Sequence, residues 1–169
     1  MSLFRQHAPR AARIGALLSL GVAALALAVP AGVASAQAAS GFDGRWVYDK
    51  SRSGPHRELE EIVTMSDHDG KRAYSAEVVV NGVHSGGRFE APLDGTSAPL
   101  YDLISGREVG TATLERKGPQ VEHIRMLFSG NARPPINIEH WLTNDGTAFI
   151  AVLKDEDGRV TSLMTFVRR

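Results

Sequence analysis

From residue 44 onward, apolar and polar residues alternate in short runs, and no stretch keeps the period of an amphipathic helix. The runs are rich in β-branched and aromatic residues, and glycine-containing segments such as "NG", "NDG" and "DEDG" separate them. This pattern predicts eight to ten strands, from runs at residues 44–49, 59–66, 72–80, 83–91, 99–104, 110–116, 121–128, 136–143, 147–154 and 159–168. The short links make the strands an antiparallel meander, which either closes into a barrel or splits into a sandwich.

The Asn81-Gly82 dipeptide shows which residues share a face of the predicted sheet. It is typical of a two-residue hairpin, because both central residues of that turn adopt positive φ. We expect the inner face to carry the opposed pairs Val80 and Val83, Val78 and Ser85, Ala76 and Gly87, and Tyr74 and Phe89. The small pair of Ala76 and Gly87 either leaves room for a ligand or marks a β-bulge, and we favour the bulge.

A second turn, at Asp145-Gly146, extends the inner face across three more strands. It pairs Leu142 with Phe149, His140 with Ala151 and Ile138 with Leu153, and strand parity adds Ser162, Met164 and Phe166. His140 is the one clearly polar residue among the three pairs that this turn aligns. We consider two hypotheses for it: it orients a ligand in a cavity, or it is a core histidine bonded to a backbone carbonyl or to a hydroxyl such as Ser162.

The outer face of the same strands is unusually apolar. Trp141, Ile150, Val152 and Leu163 are expected to cluster there, although an antiparallel barrel normally presents polar residues to water. The sequence therefore predicts that another segment of the chain, such as residues 51–58, covers this patch, or that a partner does. Our preferred partner is a second copy of the chain in a homodimer.

The N-terminal segment has the pattern of a secretory signal peptide. Arg5, Arg10 and Arg13 precede an uncharged apolar run at residues 14–29, and Ala34-Ser35-Ala36 provides a cleavage site. The run is shorter than the roughly 20 residues that a membrane span needs. We therefore predict a signal peptide at residues 1–36, with cleavage after residue 38 as the alternative, and a single domain at residues 37–169 in the periplasm or outside the cell.

Charge and composition exclude several classes of partner. Removing the three N-terminal arginines leaves sixteen basic against nineteen acidic residues, without a basic run, so neither nucleic acid nor stable membrane insertion is expected. The chain contains no cysteine, which excludes disulfides, a cysteine nucleophile and a lipoprotein anchor.

The first strand carries the motif Gly44-Arg45-Trp46, which resembles the first-strand signature of lipocalins and related calycin barrels. The resemblance implies that Trp46 closes one end of a barrel and that a basic residue near the last strand, Arg168 or Arg169, packs across it. The chain is also similar to small secreted bacterial proteins with lipocalin-like barrels and unknown function. That similarity rests on Phe42, Gly44, Trp46, Asp49 and Ser53, with Leu93-Asp94-Gly95, Asp145-Gly146 and Phe166-Val167-Arg168 further along.

Motifs for catalysis and for metal binding are weak. There is no Gly-x-Ser-x-Gly elbow, and Ser85 and His84 point to opposite faces of one strand. Asp67-His68-Asp69-Gly70 and Asp155-Glu156-Asp157-Gly158 begin like calcium loops, but Val78 and Phe166 occupy the position of the required glutamate. The sequence predicts no catalytic residue, no metal site and no cofactor.

We therefore predict an exported all-β calycin-like barrel that binds a small apolar or amphipathic ligand. The interior residues expected to contact the ligand are Trp46, Tyr48, Tyr74, Phe89, Met126, His140, Phe149, Met164 and Phe166. The alternatives are a cell-envelope interaction protein with a filled barrel, and an isomerase or hydrolase that uses His140. A void around His140 would favour ligand binding, and a second titratable group touching His140 would favour catalysis.

Overall fold

The computed structural model describes residues 41–54, 59–131 and 133–169, which form one antiparallel barrel. Each strand pairs with the next along the chain, and the last pairs with the first to close the barrel. The strands are β1 (Gly44–Tyr48), β2 (Leu59–His68), β3 (Lys71–Val80), β4 (Val83–Pro92), β5 (Ala98–Asp102), β6 (Glu108–Arg116), β7 (Val121–Phe128), β8 (Ile136–Leu142), β9 (Ala148–Lys154) and β10 (Val160–Arg168). The predicted all-β meander and its closure into a barrel are confirmed.

The register agrees with that predicted from the two hairpins. Asn81 and Gly82 both have positive φ (51° and 76°), and the pairing runs from Val80 opposite Val83 to Tyr74 opposite Phe89. The turn between β8 and β9 is longer than two residues, but it preserves the predicted pairing of His140 with Ala151. Because side chains alternate between the faces of a strand, this register also fixes which residues point into the barrel.

The predicted bulge at Gly87 is wrong. β3 and β4 pair without a register shift through this position, and the shifts occur instead between Leu100 and Tyr101 and between Val160 and Ser162. β4 therefore passes Gly87 without a bulge.

One end of the barrel is closed by packed aromatic rings. Trp46 is fully buried, and its indole N–H donates to the carbonyl oxygen of Phe42 at 2.8 Å. The Arg168 guanidinium lies over the Trp46 ring at 4.3 Å and donates to the carbonyl oxygens of Gly41 and Gly146. This end of the barrel is therefore closed by a tryptophan with a cation stacked across it.

The apolar outer patch remains exposed. Trp141 and Leu163 are 47% and 53% exposed, and Ile150 lies between them, while Val152 is half-buried. The Gly54 N–H donates to the Leu163 carbonyl oxygen at 3.4 Å, so residues 51–54 follow β10 without covering the patch.

Two predicted segments fall outside the described residues. They are the signal peptide at residues 1–36, with its alternative cleavage after residue 38, and residues 55–58 of the predicted covering segment. Within residues 41–54, 59–131 and 133–169, no helix is long and apolar enough to cross a membrane.

Candidate functional site

The barrel interior contains a cavity of about 510 Å³. Asp102, Glu108, Ser129 and Arg133 border it at the connections from β5 to β6 and from β7 to β8, so the cavity opens at that end of the barrel. Between the mouth and the closed end its walls are mainly apolar, and they include Val78, Leu100, Met126, Ile138, Leu153, Met164 and Phe166.

All nine residues predicted to contact a ligand lie inside the barrel, but they divide into two groups. Five border the cavity: Tyr74, Met126, His140, Met164 and Phe166. The other four are buried in the packed core and do not border it: Trp46, Tyr48, Phe89 and Phe149. Phe149 contacts both Trp46 and Phe166, with ring centroids 5.0 and 4.7 Å apart, so aromatic packing fills the closed end and limits the depth of the cavity.

Small residues provide part of the space. Gly86 and Gly87 on β4, Ala76 on β3 and Ala151 on β9 all border the cavity. Ala151 lies directly opposite His140 in the β8–β9 ladder, so the imidazole is not covered by a larger neighbour on that strand. The void around His140 that would favour ligand binding is therefore present.

His140 and Tyr74 form the floor of the cavity. The His140 ring lies 4.6 Å from the Phe149 ring and 6.2 Å from the Phe42 ring, both of which belong to the closed end. Tyr74 stacks on Phe89 with centroids 4.9 Å apart and faces His140 at 6.2 Å. The floor therefore presents two polar rings held by aromatic contacts.

His140 also touches a second titratable group. Its Nδ1 lies 3.0 Å from Oε1 of Glu122, and Arg72 Nη1 donates to both carboxylate oxygens of Glu122 at 3.1 and 3.0 Å. The exposed fractions are 0% for Arg72 and Glu122 and 1% for His140. Charged groups buried this deeply are stable only when they are paired and hydrogen-bonded, and this arrangement meets that condition.

The contacts continue beyond Arg72 toward the surface. Arg72 Nε donates to Asp67, whose other carboxylate oxygen accepts from Arg116 Nη2 at 2.5 Å. We call Arg72, Glu122, His140, Asp67 and Arg116 the charge cluster. Burial acts to lower the pKa of Arg72, but its hydrogen bond to Asp67 and the nearby acidic charges outweigh burial and raise that pKa. Arg72 is therefore a permanent cation, and it lies against both carboxylate oxygens of Glu122.

Glu61 is a second carboxyl group of the cavity. It lies on β2 opposite Val78 and is half-buried on the cavity wall. Burial raises the pKa of Glu61 from 4.5 to about 7. Its protonated and ionised forms are therefore both populated near neutral pH, so the side chain can donate or accept a hydrogen bond there.

Glu61, Arg72 and Glu122 are not among the site residues predicted from the sequence. Strand parity was the available signal. Tyr74 lies on the inner face of β3, which places Arg72, two residues earlier, on the same face. Met126 on the inner face of β7 implies the same for Glu122, four residues earlier. Within a barrel, strand parity decides the direction of a charged side chain, and pairing with an opposite charge then makes its burial possible.

Among the described residues, no group of three or more histidine, aspartate or glutamate side chains could hold a metal ion. Comparison with models of protein families finds no matching family, and comparison with curated proteins finds no match.

Proposed function

We propose that this chain is an exported lipocalin-like barrel that binds a small apolar or amphipathic molecule in its interior. The observation that carries the proposal is the cavity of about 510 Å³ with mainly apolar walls and polar groups at its mouth and floor. Small-molecule sites are typically apolar clefts of about 300–1,000 Å³ with a few placed polar groups, and this cavity has those properties.

Two further observations support the proposal. The Arg168 guanidinium stacks on the buried Trp46, which is the arrangement that the resemblance to calycin barrels implies. The basic, apolar and small-residue segments of residues 1–36 support export to the periplasm or the medium.

Native mass spectrometry of the protein exported by a bacterial host tests both parts. The denatured mass identifies the first residue of the mature chain, expected to be residue 37 or residue 39. A reproducible extra mass that is lost on denaturation would identify a bound molecule. A denatured mass equal to that of the full chain would contradict the predicted export.

A fluorescence titration with N-phenyl-1-naphthylamine locates binding. The Ala151→Leu variant adds bulk to the cavity wall beside His140, whereas Ala73→Leu adds the same bulk on the outer side of β3. We expect Ala151→Leu to weaken binding at least tenfold and Ala73→Leu to leave it within about twofold, because only the first reduces the cavity. Equal binding by both variants, or no binding by the wild type, would contradict the proposal.

Acid–base catalysis is a second candidate, and the contact between Glu122 and His140 favours it. A carboxylate that orients an imidazole toward a bound molecule is the arrangement of a general base. The test is hydrogen–deuterium exchange next to the carbonyl of 1-indanone in D₂O. Catalysis predicts exchange above the rate in buffer that is lost in His140→Ala, and a rate equal to that in buffer contradicts it.

A further inference from the structure

We propose that the cavity selects neutral apolar molecules that carry a hydroxyl group, an alcohol or a phenol, and that it binds this hydroxyl at its floor between His140 and Tyr74. The inference rests on the proposed ligand-binding function and specifies the chemistry of the ligand. It follows from the hydrogen-bonding groups that His140 and Tyr74 offer to a molecule in the cavity.

The ring nitrogen of His140 that carries the proton follows from the hydrogen-bond partner of the ring. Both oxygens of Glu122 accept from Arg72, so the carboxylate meets His140 as a hydrogen-bond acceptor. The contact of 3.0 Å between His140 Nδ1 and Glu122 thus requires the proton on Nδ1. In the neutral imidazole, Nε2 is then an acceptor, and within the described part of the chain no residue donates a hydrogen bond to it.

Tyr74 supplies the complementary donor. Its ring is fixed by stacking on Phe89 at an angle of 17° between the planes, and it faces the His140 ring at 25°. Burial raises the pKa of Tyr74 well above its ordinary value, with smaller effects from the charges of Glu61 and Glu122, so the hydroxyl keeps its proton. A ligand hydroxyl can donate to Nε2 and accept from this phenol at the same time, which a hydrocarbon cannot do.

A carboxylate ligand is disfavoured at the same position. The nearest buried cation, Arg72, is already engaged by Glu122 and Asp67. Among the described residues Arg72 is the one buried lysine or arginine, so an anionic head group at the floor would lie near Glu122 and Glu61 without a further buried cation to pair with. A like charge disfavours the ionised form of such a group. Arg133 borders the mouth, so an anion would find its positive partner at the other end of the cavity.

The test compares three ligands of one shape with the mature exported protein: naphthalene, 2-naphthol and 2-naphthoate, each displacing N-phenyl-1-naphthylamine at pH 7. We expect 2-naphthol to bind about tenfold more tightly than naphthalene, because only 2-naphthol has a hydroxyl group that can form hydrogen bonds at the floor. We expect 2-naphthoate to bind more weakly than 2-naphthol.

Two tyrosine variants locate the effect. Tyr74→Phe keeps the stacked ring and is expected to reduce the affinity for 2-naphthol by about three- to tenfold, with naphthalene changed less than about twofold. Tyr101→Phe removes a hydroxyl from β5, where the Arg88 guanidinium lies over the ring, and is expected to change neither affinity.

The outcomes separate the two proposals. Equal binding of naphthalene and 2-naphthol by the wild type would overturn the inference and leave the binding function intact, as would a preference for 2-naphthoate. Failure of the wild type to bind any of the three ligands or the probe would contradict the proposed function itself. The wild-type comparison needs no variant, so poor folding of Tyr74→Phe would not prevent the decision.

Discussion

Glu61 couples protonation to folding. Its pKa rises from 4.5 to about 7 in the folded protein because the carboxyl group is buried on the cavity wall. The folded state therefore holds a proton between these pH values that the unfolded chain has lost. The stability that this bound proton contributes to the folded state is fully present below about pH 4.5, and it is lost as the pH rises to about 7.

Replacing Glu61 by glutamine should remove this dependence. We expect the free energy of unfolding of Glu61→Gln to exceed that of the wild type at pH 8 by at most roughly 3 kcal/mol, because the amide carries no charge to bury. The gain should shrink toward pH 4. Urea unfolding at a series of pH values measures it, with Glu60→Gln as the exposed control on the same strand. Parallel pH profiles for the wild type and Glu61→Gln would show that the folded protein does not raise this pKa.

Tyr48 buries a hydroxyl group that has no hydrogen-bond partner among the described residues. Its ring packs against Phe166 with centroids 5.9 Å apart, and phenylalanine would keep that contact. Because an unpaired buried hydroxyl costs about 1–3 kcal/mol, we expect Tyr48→Phe to raise the free energy of unfolding by about 1 kcal/mol. Urea denaturation measures this change. A loss of stability in Tyr48→Phe would instead indicate that the hydroxyl is paired.

At the scale of the strands, much of the structure could be predicted from short patterns. All ten strands and the pairing of β3 with β4 and of β8 with β9 follow from alternation and from two turns containing glycine. These features are local, because a turn fixes the register of the strands beside it. The contact between Glu122 and Arg72 joins residues from β7 and β3, which do not pair, so no local pattern specified it.

The close approach of β3 and β4 makes one glycine essential. A Cβ atom on Gly86 would lie 2.2 Å from the carbonyl oxygen of Ala76, whereas a Cβ on the adjacent Gly87 would lie 3.4 Å from a Leu100 methyl group, an ordinary contact. We expect Gly86→Ala to lower the free energy of unfolding by at least about 2 kcal/mol, because backbone atoms must move. Gly87→Ala is the control, with an expected change below about 1 kcal/mol. A loss in Gly86→Ala as small as that expected for Gly87→Ala, measured by thermal or urea unfolding, would show that the two strands can move apart at little cost.

At the scale of the molecule, the two ends of the barrel differ in chemistry. The closed end holds Trp46, Arg168 and the charge cluster, whereas the other end opens into the apolar cavity. The sequence predicted the interior residues but not whether they fill the barrel. Whether a cavity remains depends on the total volume of the side chains that many strands place inside the barrel. The pairing of two neighbouring strands does not determine that volume.

The outer patch of Trp141, Ile150, Val152 and Leu163 is a second feature of the whole molecule. These side chains lie on the adjacent strands β8, β9 and β10, and residues 51–54 leave them uncovered. Exposed apolar clusters on soluble proteins often mark contacts with other molecules. We propose that a second copy of the chain covers this patch and forms a homodimer.

Sedimentation velocity at micromolar concentration tests the dimer. We expect the wild type to sediment as a dimer and Leu163→Lys as a monomer, because a lysine would place a charge within an apolar contact. Leu127→Lys is the matched control: Leu127 is an exposed leucine on β7, near the end of the strand opposite to the patch, and its dimer should persist. A monomeric wild type would contradict the proposal. Dissociation by both variants would show that added positive charge, and not the patch, controls assembly.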